Sequence, residues 1–359
     1  MATYSKKNHD VIDTSDEVTD LLDSLFDLRV KDVIIDVRTP AEFEKGHIIG
    51  AKNIPLLNNA ERAEVGTLYK QKNPQVAFDR GMELVGPKMA SYIKAGRLAT
   101  NNEGAIIYCW RGGKRSQSMS WLFNMAGLQT KTIPGGYKAY RQYATSILQN
   151  PSLKLLVVGG KTGSGKTKVL HALRAQGEQI IDLEGLANHK GSAFGWIGEE
   201  VQPSIEHFEN MLAYELKKLD TNKPIWIENE SNRIGRVALH QDFWNTLKVS
   251  PLINIEIPTT ARIELLVETY RSDNAADLVE AFTRIKKRLG GLNLTKALKA
   301  VEENDLARAA EIALIYYDKA YTKLLDKNKT KHIYMLNFDH GDFYKIAGQL
   351  IAFRKEKGL

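Results

Sequence analysis

The chain has 359 residues, enough for two domains at roughly 150 residues each. Its 43% hydrophobic and 26% charged residues exclude a mainly disordered chain. Lys and Arg outnumber Asp and Glu by 50 to 43, and this formal charge of +7 permits an anionic partner without requiring one.

In chain order, the first ten residues carry no apolar signal-peptide core. Residues 31–37 (Lys-Asp-Val-Ile-Ile-Asp-Val) predict a strand that ends in a charged turn, and residues 105–108 predict another, running into Cys109. A helix is predicted over residues 114–125, then a short strand over 130–133. The polar run 148–152, with Pro151, marks the domain boundary, giving segments 1–148 and 149–359. The second segment opens on the apolar run 153–158, followed by strands predicted at 180–181, 224–227, 253–257 and 332–336. Residues 260–325 read as a helical insertion and 341–353 as a closing helix. Strands alternating with helices predict an α/β fold with parallel sheets in both segments. No stretch reaches the ~20 apolar residues of a membrane helix, so no membrane partner and a cytoplasmic location are expected.

Two stretches carry chemistry. Cys109 opens Cys109-Trp-Arg-Gly-Gly-Lys-Arg-Ser116, between a predicted strand and a predicted helix. A single cysteine excludes an intrachain disulfide or a multi-thiolate zinc site; it is either an inert buried thiol or a reactive one. A thiol at a helix N-terminus has its acidity raised by the helix dipole. Gly112 and Gly113 would turn backbone N–H groups around an anion, and Arg111, Lys114 and Arg115 add positive charge. This favours a reactive Cys109, with Arg111 and Arg115 as catalytic partners.

The loop and the upstream stretches Asp36-Val-Arg-Thr-Pro-Ala-Glu-Phe43 and Gly46-His-Ile-Ile-Gly-Ala-Lys-Asn-Ile-Pro55 resemble the rhodanese domain family. The resemblance implies that Cys109 carries a chalcogen and that Asp36, Arg38 and His47 fix the scaffold. The spacing Cys109-x5-Arg115-Ser116 also fits cysteine phosphatases, whose Arg clamps phosphate, although Tyr108 stands where those enzymes usually have His.

In the second segment, Gly160-Lys-Thr-Gly163-Ser164-Gly165-Lys166-Thr167 fits the phosphate-loop pattern and sits between a predicted strand and helix. Its N–H groups would cradle a phosphate chain, Lys166 would neutralise terminal phosphates, and Thr167 would hold Mg²⁺ if one is used. Glu228 and Glu230 after the strand at 224–227, and Asp182 and Glu184 after 180–181, are candidate acids for a metal or its waters. Acid at this position is usually Asp, and Glu228 departs from that, which speaks against ordinary ATP hydrolysis.

The combination of a rhodanese-like domain with a phosphate loop resembles the bacterial tRNA 2-selenouridine synthase family nearly end to end. Residues 59–70, 135–141, 183–195, 228–235, 287–291 and 316–318 carry this resemblance together with the two loops. It implies a transferase acting on tRNAs for Lys, Glu and Gln that carry wobble 2-thiouridine. Geranyl diphosphate alkylates the sulfur, and selenium from selenophosphate then replaces the geranylthio group. A selenophosphate supplier is an implied partner. Phe194, Trp196, Phe208 and Met211 are candidates for the geranyl pocket, core packing being the alternative for Phe208 and Met211. Candidate tRNA contacts are Arg284, Lys286, Lys287 and Arg288 on a predicted helix, and Tyr137, Lys138 and Arg141, where aromatic and basic residues interleave. A solvated helix face and core packing of Tyr137 with Tyr140 are the respective alternatives. Two other functions stay open: an NTPase or kinase with a regulatory rhodanese domain, and a module that only docks a sulfur carrier.

Overall fold

The computed structural model describes residues 16–26, 32–270, 275–327, 332–339 and 341–359. They fall into two compact units, one ending at Ile147 and the other beginning at Leu148. Lys31 of the first predicted strand, the first ten residues and residues 271–274 of the predicted helical insertion lie outside the described residues.

The first unit is built on a four-stranded parallel sheet in the order β2-β1-β3-β4, formed by β1 (Val33–Asp36), β2 (Lys52–Asn53), β3 (Ala105–Tyr108) and β4 (Thr130–Thr132). All four side chains of β3 are buried, as its uninterrupted Ala-Ile-Ile-Tyr sequence demands of a central parallel strand. Around the sheet run α1 (Asp16–Ser24), α2 (Pro40–Lys45), α3 (Asn59–Gln71), α4 (Pro74–Val85), α5 (Met89–Thr100), α6 (Lys114–Met125) and α7 (Gly136–Leu148). Local chemistry fixes several starts. Thr39 with Glu42 and Asn58 with Glu61 form capping boxes, and Pro40 and Pro74 occupy the first turns of α2 and α4, where a missing N–H costs nothing. The core gathers Ile35, Ile107, Met119 and Phe123 under the sheet.

The second unit is a five-stranded parallel sheet in the order β11-β10-β5-β7-β6. Its strands are β5 (Leu155–Gly160), β6 (Gln179–Ile181), β7 (Ile225–Glu228), β10 (Leu252–Glu256) and β11 (Ile333–Asn337); β8 (Arg233–Ile234) and β9 (Val237–Ala238) form a separate short antiparallel pair. β5 and β7 are buried along their whole length. Helices α8 (Lys166–Ala175), α9 (Leu183–Leu186), α10 (Ile205–Lys217) and α11 (Gln241–Val249) connect the strands. The helical insertion comprises α12 (Thr259–Thr269), α13 (Ala275–Arg284), α14 (Lys286–Leu289), α15 (Gly291–Glu302) and α16 (Leu306–Lys327), and α17 (Phe343–Lys357) closes the unit against α8. The insertion has a core of Leu278, Phe282, Ala297 and Ile312, into which Phe194 packs from the segment before α10. The α/β class with parallel sheets is therefore what the structure holds. The predicted single helix under residues 284–288 is broken at Ile285, where α13 ends and α14 begins.

Candidate active sites in two glycine loops

In the first unit the end of β3 delivers Cys109 into a loop that runs directly into α6. The thiol is 3% exposed; Sγ lies 3.3 Å from Ser116 Oγ and 3.9 Å from the Gly113 carbonyl, to which it donates. The loop is held from outside by the backbone. Tyr137 N–H donates to the Cys109 carbonyl at 2.9 Å and Lys138 N–H to the Trp110 carbonyl at 3.0 Å. Gly136, at φ +60°, stands so close that a Cβ there would lie 2.3 Å from the Cys109 oxygen. Gly112 takes φ +66°, while Gly113 has an ordinary φ of −93° with open space beside it. Only Gly112 of this pair needs the left-handed conformation.

The charges of the loop are unequally placed. Arg115 makes two hydrogen bonds to Glu42, at 2.7 and 3.3 Å. Burial would raise the Glu42 carboxyl, but the Arg115 hydrogen bonds and charge hold it below its ordinary value. Both guanidinium prongs of Arg115 are thus engaged by Glu42 of α2, which disfavours the bidentate phosphate clamp of a cysteine phosphatase. Asp36 and Arg38 form a fully buried pair with Nη2 to Oδ2 at 2.6 Å, and Arg38 also donates to the Gly46 carbonyl. The Arg38 guanidinium lies 3.8 Å over the Tyr137 ring. Tyr137 is fully buried, so it is removed from the candidate tRNA contacts: its ring packs the core under Arg38 and cannot receive a base. Lys138 and Arg141 are half-buried.

In the second unit the phosphate loop joins β5 to α8. Gly163 and Gly165 take φ +79° and +74°, and a Cβ on Gly165 would lie 2.2 Å from the Phe343 ring. Ser164 is buried beneath the loop with no hydrogen-bond partner for Oγ among the described residues. Lys166 Nζ reaches the Gly160 carbonyl at 3.4 Å. Burial works against its charge, but the surrounding Glu184 and Glu230 carboxylates raise its pKa above the ordinary value. Thr167 Oγ1 donates to Glu184 at 2.7 Å.

The four candidate acids have different tasks. Asp182 caps α9, accepting from Gly185 N–H at 2.7 Å, and pairs with His171 at 2.6 Å. Glu228 is wholly buried, accepts from Leu183 N–H at 2.9 Å and has its pKa raised well above the ordinary value, first by burial and then by Asp182 and Glu184. Its side chain does not line the cleft, which sets it apart from the acids that do. Glu184 and Glu230 do line the cleft, and both converge on Gly191, where a Cβ would meet their oxygens at 2.6 and 2.8 Å. Burial, then the charge of Glu184, lifts Glu230 to about 8.

The cleft has a volume of ≈ 520 Å³ and is lined by the loop, by Glu184 and Glu230, and by Ser192, Leu266, Tyr270 and Tyr317. Those last four residues and Thr162 also line a narrower apolar cavity of ≈ 60 Å³ that runs among Phe194, Leu278, Phe282 and Ala313. An anion cradle therefore opens onto an apolar floor. Phe194 belongs to that floor; Trp196 packs instead at the edge of the helical core beneath the Arg284 guanidinium, and Phe208 is interior to the sheet-packing helix α10. Arg284, Lys286, Lys287 and Arg288 are exposed, Arg284 paired with Glu280 and Arg288 donating to Tyr316.

Three residues that local sequence patterns do not reveal lock the loop. Arg262 of α12 donates to the Thr162 carbonyl at 2.9 Å and makes a two-pronged pair with Asp318 of α16. Tyr321 of α16 accepts from Gly160 N–H at 2.7 Å and donates to Asn254. The only advance signal was the run 316–318, which stood out in the sequence without an assigned task.

A chain that joins a cysteine loop of this build to a phosphate-loop α/β unit is a two-domain rhodanese and P-loop enzyme. The family model described as the tRNA 2-selenouridine synthase AAA domain matches residues 153–340, and that for the rhodanese-like domain matches residues 15–143. A tRNA 2-selenouridine synthase of Sulfurovum sp. is 35% identical over 90% of this chain and 94% of its own length. One from Bdellovibrio bacteriovorus is 37% identical over 82% and 75%, and one from Nitrosomonas europaea 40% identical over 69% and 66%. A solved N-terminal domain of a putative ATP/GTP binding protein from Clostridium difficile is 40% identical over 32% of this chain and 88% of its own, with a TM-score of 0.30, too low to bear on the fold. The chain belongs to the tRNA 2-selenouridine synthase family of tRNA-modifying enzymes. Among the described residues no helix is long and apolar enough to cross a membrane.

Proposed function

We propose that the second unit transfers a geranyl group from geranyl diphosphate to the sulfur of wobble 2-thiouridine in tRNA, and that selenium from selenophosphate then replaces the geranylthio group. The observation that carries the first step is the apolar floor opening directly from the phosphate cleft through Thr162, Ser192, Leu266, Tyr270 and Tyr317. This suits a ligand with an anionic head and a hydrocarbon tail better than a nucleotide, whose base and ribose need hydrogen-bonding walls. The floor is narrow, so its helices must part to admit a ten-carbon chain.

In the transfer, the thiocarbonyl sulfur attacks the first geranyl carbon, the carbon–oxygen bond breaks, and diphosphate leaves with the electron pair. Lys166 and the loop N–H groups stabilise the charge that develops on the leaving oxygen. Thr167 and Glu184 supply hard oxygens of the kind Mg²⁺ takes, and Glu230 lies beside them. No cluster of three or more His, Cys, Asp or Glu spaced for a metal exists among the described residues, so an ion would draw its remaining ligands from phosphate and water. Bound there, Mg²⁺ would neutralise the departing diphosphate.

In the exchange, the alkylated base, hydrogen selenophosphate and water give 2-selenouridine, geranyl thiol and phosphate. Alkylation makes the sulfur a better leaving group. Cys109, with Arg111, Gly112, Gly113 and Lys114 around it, carries or steadies the selenium species. The tRNA acceptors for Lys, Glu and Gln, an enzyme that supplies selenophosphate, and the contacts through Lys138, Arg141, Arg284, Lys286, Lys287 and Arg288 belong to the same reading.

The test is incubation with 2-thiouridine tRNA and geranyl diphosphate, with and without selenophosphate, followed by nucleoside mass spectrometry. The geranylated and the selenated nucleosides are the expected products; absence of both mass shifts, or steady ATP or GTP turnover in their place, overturns the reading.

A further inference from the structure

The first unit carries a groove of ≈ 740 Å³ that none of the chemistry above uses. It lies between the hairpin of α3 and α4 and the outer face of α6, and Val65, Phe78, Met82, Met89, Trp121 and Leu57 make its walls. Met82 is 47% and Trp121 58% exposed. Large apolar side chains facing one another across an open trough are not the usual surface of a folded chain and mark a binding site. The volume falls in the range of small-molecule pockets, roughly 300–1,000 Å³, and the site is concave rather than flat, which fits a hydrocarbon chain better than a protein partner.

The charge of the groove is confined to one end. Lys114 and Arg115 line it, and these are the first two residues of α6, directly after the Cys109 loop. The Lys114 ammonium lies 4.6 Å over the Phe78 ring, so cation and apolar wall are in contact. Arg115 is already paired with Glu42, which leaves Lys114 to meet a ligand's charge. One ammonium is a weak grip for a diphosphate but a fitting contact for a single phosphate of a polymer backbone. Apolar trough, cationic rim and thiol loop thus follow one another along the start of α6. Their complement is a hydrocarbon arm on an anionic body, with its point of attachment at the thiol loop.

We propose that this groove binds the isoprenyl arm of the S-alkylated tRNA base, holding it while the sulfur-bearing carbon is presented to the Cys109 loop. The inference rests on the geranylation reading and adds to it a second hydrocarbon site, distinct from the floor of the phosphate cleft. No bond is made or broken in the groove; it orients the arm and retains the leaving thiol's chain.

The test uses the full-length protein and anticodon stem-loop RNAs carrying S-geranyl- or S-methyl-2-thiouridine. Binding is followed by anisotropy, and Met82→Asp and Trp121→Ala are the variants, their folding checked by thermal melting. Wild type should bind the geranyl RNA at least tenfold tighter than the methyl RNA. Each variant should erase most of that preference while leaving the methyl RNA's affinity as it was. Persistence of the preference in both variants overturns the proposal, as does its absence in wild type. Competition by geranyl diphosphate at this site in a Lys166→Ala background would also overturn it, assigning the groove to the free isoprenoid. A defect seen only when a second enzyme supplies the selenophosphate would make the groove a protein-docking surface and overturn it too. Product formation by wild type is read separately by mass spectrometry, so failure of the geranylation reading is visible apart from failure of the groove.

Discussion

The two loops share one construction, strand to glycine turn to helix, yet each is shaped by different means. Around Cys109 the backbone does the shaping: the Gly136 Cα stands against the Cys109 carbonyl, and two N–H groups from the first turn of α7, those of Tyr137 and Lys138, clasp the loop. Around Lys166 side chains do it, with Phe343 against Gly165 and with Arg262, Asp318 and Tyr321 brought in from the helical insertion. Electrostatics differ as well. One loop faces a carboxylate bound to its own Arg115, the other keeps two carboxyls pressed near its lysine. A backbone-clasped loop tolerates little change in its glycines, whereas a side-chain-clasped loop can be loosened one contact at a time.

The proposed division of labour between the loops gives the largest expected effect. Lys166→Ala should lower geranyl transfer by roughly 10²–10³, the usual cost of removing one charge-stabilising group. Cys109→Ala should leave that rate near wild type and abolish selenium incorporation, both read by mass spectrometry of nucleosides. Loss of both products in Cys109→Ala would show that the loops do not divide the chemistry in this way.

Next comes the clasp itself. Gly136→Ala places a Cβ 2.3–2.4 Å from two backbone atoms at φ +60°, and a cost of about 1–3 kcal/mol is expected in thermal or urea unfolding. Gly113→Ala, with open space and an ordinary φ, should stay within about 0.5 kcal/mol of wild type. Equal effects at both positions would show that the close backbone approach at Gly136 is not what shapes the Cys109 loop.

A smaller effect is expected from Glu42→Ala. It removes a half-buried ion pair and part of a capping box, worth about 1 kcal/mol together. It also releases Arg115, so phosphate or sulfate should protect Cys109 from alkylation several-fold better than in wild type. Unchanged protection would mean that Arg115 does not turn toward the loop when released.

A further expectation concerns pH. Glu230 is held at about 8 against an ordinary 4.5, so between those values the folded chain keeps a proton that the unfolded chain has lost. Stability of the ligand-free protein should therefore fall as pH rises through this window and level off above it. Glu230→Gln should flatten the slope only in part, because buried Glu228 is also raised above its ordinary value; an unchanged slope would assign the proton to another group.

Much of this was legible in the sequence because it is local. Apolar runs such as 153–158 announce buried strands, and the glycine patterns at 109–116 and 160–167 announce anion loops. What was not legible is long-range. Glu42 and Arg115 are 73 positions apart, Arg262 and Thr162 100, and Tyr321 and Gly160 161, and no spacing rule connects them. Tyr137 shows the opposite failure: beside Lys138 and Arg141 it reads as an RNA contact, yet its register on α7 turns it under Arg38. The groove was hidden for a third reason, since α3 carries only a weak apolar stripe and the wall forms only where it pairs with α4.

Helix α16 gives the phosphate unit one more property. Tyr317 on it lines the apolar floor, Asp318 holds Arg262, and Tyr321 meets the first N–H of the phosphate loop, all within five consecutive positions of one rod. A helix moves as a stiff body over so short a span. If the proposed geranyl transfer holds, a hydrocarbon tail pressing on Tyr317 would reach the phosphate loop through this one rod, and tail length would be felt at Lys166.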